Sequence, residues 1–284
     1  WEELTPHLQT LPVVFTANEE WVLPRQARLL ESDEELDASP IFRSLDIPIV
    51  HPDLRFAFGL MRTRQIGVPL LSVQDIVQTL EERGLDERTP LSDAPSCLQS
   101  PAAWSTLWAA IDAMLERRQT QEALEQAQET LRSCAIVLDT RHRLQRPTNL
   151  FQGDEETQSL FQGVSWMGDY GKPDKMPGRL VAPFAVADAI DFLSEMPADC
   201  WEVEWQSGEL DLEALYGWFE SRKSAILGKP DLVERLRDLP IWPASGHLRS
   251  LTGLYIPGGF DDPLKLSALV DVEALGGRQE FLRD

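Results

Sequence analysis

Cysteine is scarce in this 284-residue chain, and the three present, Cys97, Cys134 and Cys200, are odd in number and far apart. That argues against a disulfide framework and for a reducing compartment. No CxxC pair occurs, so a structural metal has no basis in the sequence. Basic residues are outnumbered, 26 Lys and Arg against 47 Asp and Glu, for a formal net charge of −21. A surface this acidic repels phosphate backbones, so direct nucleic-acid binding is not expected. Long apolar runs are missing as well; each is broken by charge or Pro, which leaves no segment suited to crossing a membrane. No charged-then-apolar signal follows Trp1, and we expect a cytoplasmic, interior piece of a longer polypeptide.

Catalytic signatures are equally sparse. The chain has no GxSxG, no HExxH, no Walker loop and no catalytic Cys–His spacing. His142 and His247 fall at matching places before Leu144 and Leu248, where solvent exposure is expected, and neither has a second ligand at metal spacing. His51-Pro52-Asp53 reads as a helix start. So does Asp261-Asp262-Pro263, ahead of a helix carrying Leu264, Leu266, Leu269 and Val270. Asp33-Glu34-Glu35 reads as a solvated face. We therefore expect no enzymatic activity and no cofactor. One basic cluster stands out on the acidic chain: Arg55, Arg62 and Arg64, interleaved with Phe56, Phe58 and Met61, form a candidate partner-binding strip.

What the chain does have is core and repetition. Hydrophobic residues make up 43% and nine are Trp, enough to fold a sizeable interior. LPVVFTANEEWVLPRQARLL from Leu11, CAIVLDTRHRLQRPTNLF from Cys134 and LPIWPASGHLRSLTGLYIP from Leu239 share one layout: an apolar run, a polar turn and an alternating run. Each predicts a β-hairpin, with turns at Ala17-Asn18, Asp139-Thr140 and Ser245-Gly246. Aligning the first apolar residue after each turn brings Trp21, Leu144 and Leu248 together, and Pro24 then meets Pro147. A second correspondence pairs VPLLSVQDIVQTL from Val68 with VAPFAVADAIDFL from Val181, each predicting a short extended stretch and an amphipathic helix. In the first of these, Ser72 and Asp75 have capping-box spacing.

Ser100-Pro101 signals a further helix start, followed by Trp104, Leu107, Trp108, Ile111 and Leu115 at helical spacing. Leu212, Leu215, Tyr216 and Phe219 predict its counterpart. Loops are expected over 86–99 and 166–178. CWEVEWQSG, with Trp201, Val203 and Trp205 alternating against Glu202 and Glu204, predicts an edge strand. The expected architecture is α+β: a first module over 1–133, a second over 134–238, and the start of a third over 239–284.

LPIWPASGHLRSLTGLYIPGGFDDPL, together with PRQARLLESDEELDASPIFRSLDIPIVHPDLR and GVPLLSVQDIV, resembles the recurrent regions of sacsin-like proteins. These are large chaperone-type proteins related to GHKL ATPases of the ninety-kilodalton heat-shock class. The resemblance implies a scaffold or client-binding segment whose partners are proteins or other domains of the same polypeptide. It also implies that the nucleotide site lies in a separate domain, and no DxGxG-type loop occurs here. The alternative from composition is a stand-alone acidic interaction protein, an inhibitor or nucleic-acid mimic. A hydrolase with an unrecognised carboxylate site is a third reading.

Overall fold

The structure is a computed structural model that describes residues 4–54, 67–117, 120–169, 176–208, 210–255 and 269–277. It is α+β, with short antiparallel hairpins among many helices, and it divides into two compact units. The first comprises 1–152 and 165–182; the second comprises 153–164 and 183–284. These bounds do not follow the expected modules, because the hairpin that opens the second module belongs to the first unit.

In the first unit a short helix α1 (Thr5–Leu8) precedes β1 (Val14–Phe15) and β2 (Trp21–Val22), which pair Val14 with Val22 and Phe15 with Trp21. Helices α2 (Asp33–Asp37) and α3 (Ser39–Ser44) follow, then α4 (Val73–Glu82), α5 (Pro101–Glu116) and α6 (Gln121–Ser133). The expected starts hold. Ser72 and Asp75 form a reciprocal capping box on α4, and Ser100 accepts from Ala103 N–H with Pro101 at the first helical position of α5. The α4 stripe of Val73, Ile76, Val77 and Leu80 is buried, as is the α5 stripe of Trp104, Leu107, Trp108 and Ile111. After α6 come β3 (Val137–Leu138) and β4 (Leu144–Gln145), paired Val137 to Gln145 and Leu138 to Leu144, and then β5 (Phe151–Gln152), which pairs with β6 (Ala182–Pro183). The core joins α2–α6 to this second hairpin through Ile136, Val137, Leu138, Leu144 and Leu150. The first hairpin has a small separate core of Val14, Ala27, Leu29, Val50 and Val68.

The first two hairpins carry the same hydrogen bonds at positions 123 residues apart. Thr16 N–H donates to Glu20 O, and Asp139 N–H donates to Arg143 O. Glu19 N–H returns to Thr16 O, and His142 N–H to Asp139 O. The left-handed residue that closes each loop is Glu19 or His142, not the central residue of the expected turn. Each loop is then crossed by a later extended segment: Ala17 N–H donates to Ile49 O and His51 N–H to Phe15 O, while Thr140 N–H donates to Trp166 O and Gly168 N–H to Leu138 O.

The second unit contains α7 (Glu155–Leu160), α8 (Val186–Glu195), α9 (Ala198–Ser207), α10 (Leu212–Ser221), α11 (Lys223–Leu227) and α12 (Pro230–Asp238), then β7 (Trp242–Ala244) and β8 (His247–Arg249). Its core is aromatic: Phe161 lies 5.0 Å from Phe184 and 5.1 Å from Trp218. Tyr216 stacks on Trp242 at 5.4 Å and donates its hydroxyl to Ile241 O, which fixes the third hairpin on α10. That hairpin differs from the other two. Its register pairs Leu248 with Pro243 and Ala244 with His247, across a two-residue turn with Ser245 and Gly246 both at positive φ.

The expected edge strand at CWEVEWQSG is the helix α9. Pro197 precedes it and Gly208 ends it in the left-handed conformation. Trp201 is buried and Trp205 half-buried one turn away, while Val203 is 66% exposed. The alternation with Glu concealed this four-residue spacing. Trp201 Nε1 donates to Leu193 O at 3.2 Å, a partner outside the quoted stretch.

Candidate functional site

Among the described residues the first unit carries a cleft of about 770 Å³. It is lined by the start of α4 at Ser72 and Gln74, by Met114 and Arg117 at the end of α5, and by Ala127 and Thr130 of α6. Two of its lining residues, Glu31 and Arg117, belong to an ionic network. Glu35, fully buried at the third position of α2, accepts from Arg117 through one carboxylate oxygen and from Glu31 N–H at 2.8 Å through the other. Arg117 also donates to Leu71 O at 3.1 Å and lies 3.6 Å from Glu31. Burial pushes the Arg117 guanidinium below its ordinary range, and Glu31 offsets part of that. The expected solvated face is thus corrected at Glu35: Asp33 and Glu34 are exposed, but Glu35 points inward to meet Arg117.

Arg28 ties the first hairpin's segment to α4 through Asp75, at 2.7 Å. Burial would raise the Asp75 carboxyl, but hydrogen bonds from Arg28 and Ser72 outweigh it and hold the group below its ordinary value. Arg117 thus pairs with Glu31 and Glu35, and Arg28 with Asp75.

The other feature is an edge. On the first hairpin Trp21 is 62% exposed and Leu11 50% exposed, with Val13, Phe15 and Val22 half-buried. Their counterparts on the second hairpin, Leu144, Cys134, Ile136, Leu138 and Gln145, are all buried. Complete burial of such a side chain is worth about 1.5–3 kcal/mol, so this face leaves substantial apolar surface in water.

The sequence-predicted strip of Arg55, Arg62 and Arg64 lies outside the described residues, as does Asp261-Asp262. Leu269, expected in a helix, instead makes a parallel bridge with Tyr255. His142 and His247 are exposed, and His247 Nδ1 meets Glu202 at 2.7 Å. His51 begins a short 3₁₀ turn at Pro52–Leu54 and stacks on Phe15. Among the described residues no group of three His, Cys, Asp or Glu side chains is placed to hold a metal, and no helix is long and apolar enough to cross a membrane. No family model matches the chain, and neither a curated protein nor a solved structure matches it.

Proposed function

We propose that this chain is a non-catalytic scaffold or client-binding segment of a larger chaperone-type protein, built from repeated hairpin-plus-helix modules of the sacsin-like kind. The observation that carries the reading is the composition of the two cores. In the first unit, the hairpin β3–β4 packs on α4–α6, which precede it in sequence. In the second, β7–β8 is fixed by α10 through Tyr216, and Leu251 N–H donates to Arg237 O of α12. A helical layer and the hairpin that follows it form one core each time. This is how repeat proteins gain cohesion, because a module that cannot close its own core buries its face against its neighbour. An exposed apolar edge on a strongly acidic, soluble-type surface suits capture of other polypeptides.

The test is light scattering from a heat-unfolded client protein with the 284-residue chain added at equimolar ratio and no nucleotide. We expect aggregation to fall several-fold. No suppression at about tenfold excess overturns the proposal. The net charge of −21 favours a second reading, an acidic mimic for a basic partner. Salt separates the two: charge-driven binding collapses between about 0.15 and about 0.5 M salt, whereas apolar capture persists.

A further inference from the structure

We propose that the open edge of β2, centred on Trp21, takes up an extended strap presented by a further helical layer of the same kind as α4–α6, by strand addition. This rests on the modular reading above and adds to it a surface and an occupant.

The second hairpin supplies the pattern. Leu144 turns its N–H and C=O away from β3, and both are used by residues 88–91. Arg88 N–H donates to Leu144 O at 2.7 Å, and Leu144 N–H donates to Thr89 O at 2.9 Å. Leu91 N–H donates to His142 O at 3.0 Å, and Pro90 stands antiparallel to Arg143. The strap arrives from the end of α4 and leaves toward α5, so it comes as part of a helical layer. Beside it Leu144 is wholly buried, in the core shared with α4–α6.

The first hairpin has the same register and the same loop bonds, so Trp21 stands where Leu144 stands and also turns its N–H and C=O outward. Neither has a hydrogen-bond partner among the described residues. Outward main-chain groups flanked by exposed apolar side chains form a template for strand addition. The rim specifies the occupant further. Where the second hairpin has His142 and Arg143, the first has Glu19 and Glu20, both exposed. The arriving strap therefore carries a basic residue at the position that Pro90 fills in this chain, and its apolar residues cover Trp21. A second copy of this chain does not fit, since its own strap is engaged by Leu144.

The experiment titrates the ¹⁵N-labelled 284-residue chain with a synthetic peptide of residues 84–98, in its natural form and as Pro90→Lys. We expect amide shifts confined to Glu19–Val22 and the Trp21 indole, with the Pro90→Lys peptide several-fold tighter. N-methylation of the peptide at Arg88 and Leu91 removes two donors and should weaken binding by about tenfold or more. Trp21→Ala, at an exposed side chain, should abolish the shifts without unfolding the protein. No shift at millimolar peptide, or undiminished binding by the N-methylated peptide, overturns the proposal. Concentration-dependent dimerisation lost in Trp21→Lys would assign the edge to a second copy and also overturn it. The titration reads only this edge. A chain that binds the peptide but fails to suppress client aggregation would therefore sink the scaffold reading and leave the edge intact.

Discussion

Trp218 donates its indole N–H to the hydroxyl of Thr157 at 2.9 Å, and both side chains are buried in the second unit. Thr157 is the third residue of α7, and its N–H is capped by Asp154 at 2.8 Å. Thr157→Val keeps the shape and removes the acceptor. We expect a loss of about 1–3 kcal/mol, the cost of a buried donor left unmade. Urea unfolding followed by Trp fluorescence measures it, with an unchanged m-value showing that the fold is retained.

The corresponding third residue of α2 is Glu35, whose partner is Arg117. Arg117→Met strands a fully buried carboxylate, so we expect a loss of about 3–5 kcal/mol. The double variant Glu35→Leu with Arg117→Met should recover most of it, because no charge is then left uncompensated. A double-mutant cycle by chemical denaturation gives the coupling directly.

Asp75 makes stability depend on pH at the acid end. Its folded pKa lies below the ordinary value of 3.8, so the Arg28 and Ser72 contacts stabilise the protein fully above that value. The contribution is lost as pH falls through the lower folded pKa. Asp75→Asn should destabilise the protein at pH 7, and the gap from the parent should shrink below about pH 4. Thermal melts across pH 3–7 test the sign.

Gly246 sits at φ +80 in the two-residue turn of the third hairpin, and a Cβ there would meet nothing within 4 Å. Gly246→Ala thus isolates the backbone cost, about 1 kcal/mol. Ser245→Asn, which tolerates the left-handed conformation, should be neutral or slightly stabilising. Melting temperatures of the two variants suffice.

Thiol chemistry should distinguish the three cysteines. Burial raises both Cys97 and Cys134, the latter also through Glu81, whereas Cys200 is exposed on α9. Alkylation at neutral pH followed by mass spectrometry should modify Cys200 first and the half-buried Cys97 more slowly, with Cys134 reacting only on unfolding.

Local signals in the sequence were good guides where one residue decides the outcome. The Ser72–Asp75 box, the Ser100-Pro101 helix start and the Ser245-Gly246 turn depend on short-range chemistry, and each is in place. Failures came where a distant partner decides. Glu35 looks like one of three surface acids, and only Arg117, far along the chain, draws it inward. Trp201 and Trp205 alternate with acids as a strand would, and the helix is settled by packing on Leu193 and Phe192. The exposed Trp21 edge was legible as a hairpin, but its openness emerged only by comparison with Leu144.

The offset between the expected modules and the compact units has a practical consequence for dissecting this polypeptide. Trimming it after Ser133 would strip the first unit of Ile136, Val137, Leu138, Leu144 and Leu150. At about 1.5–3 kcal/mol for each buried side chain, that is comparable to the whole margin by which a typical domain stays folded. Limited digestion should accordingly spare the stretch around Ser133, and fragments that begin or end there should be insoluble.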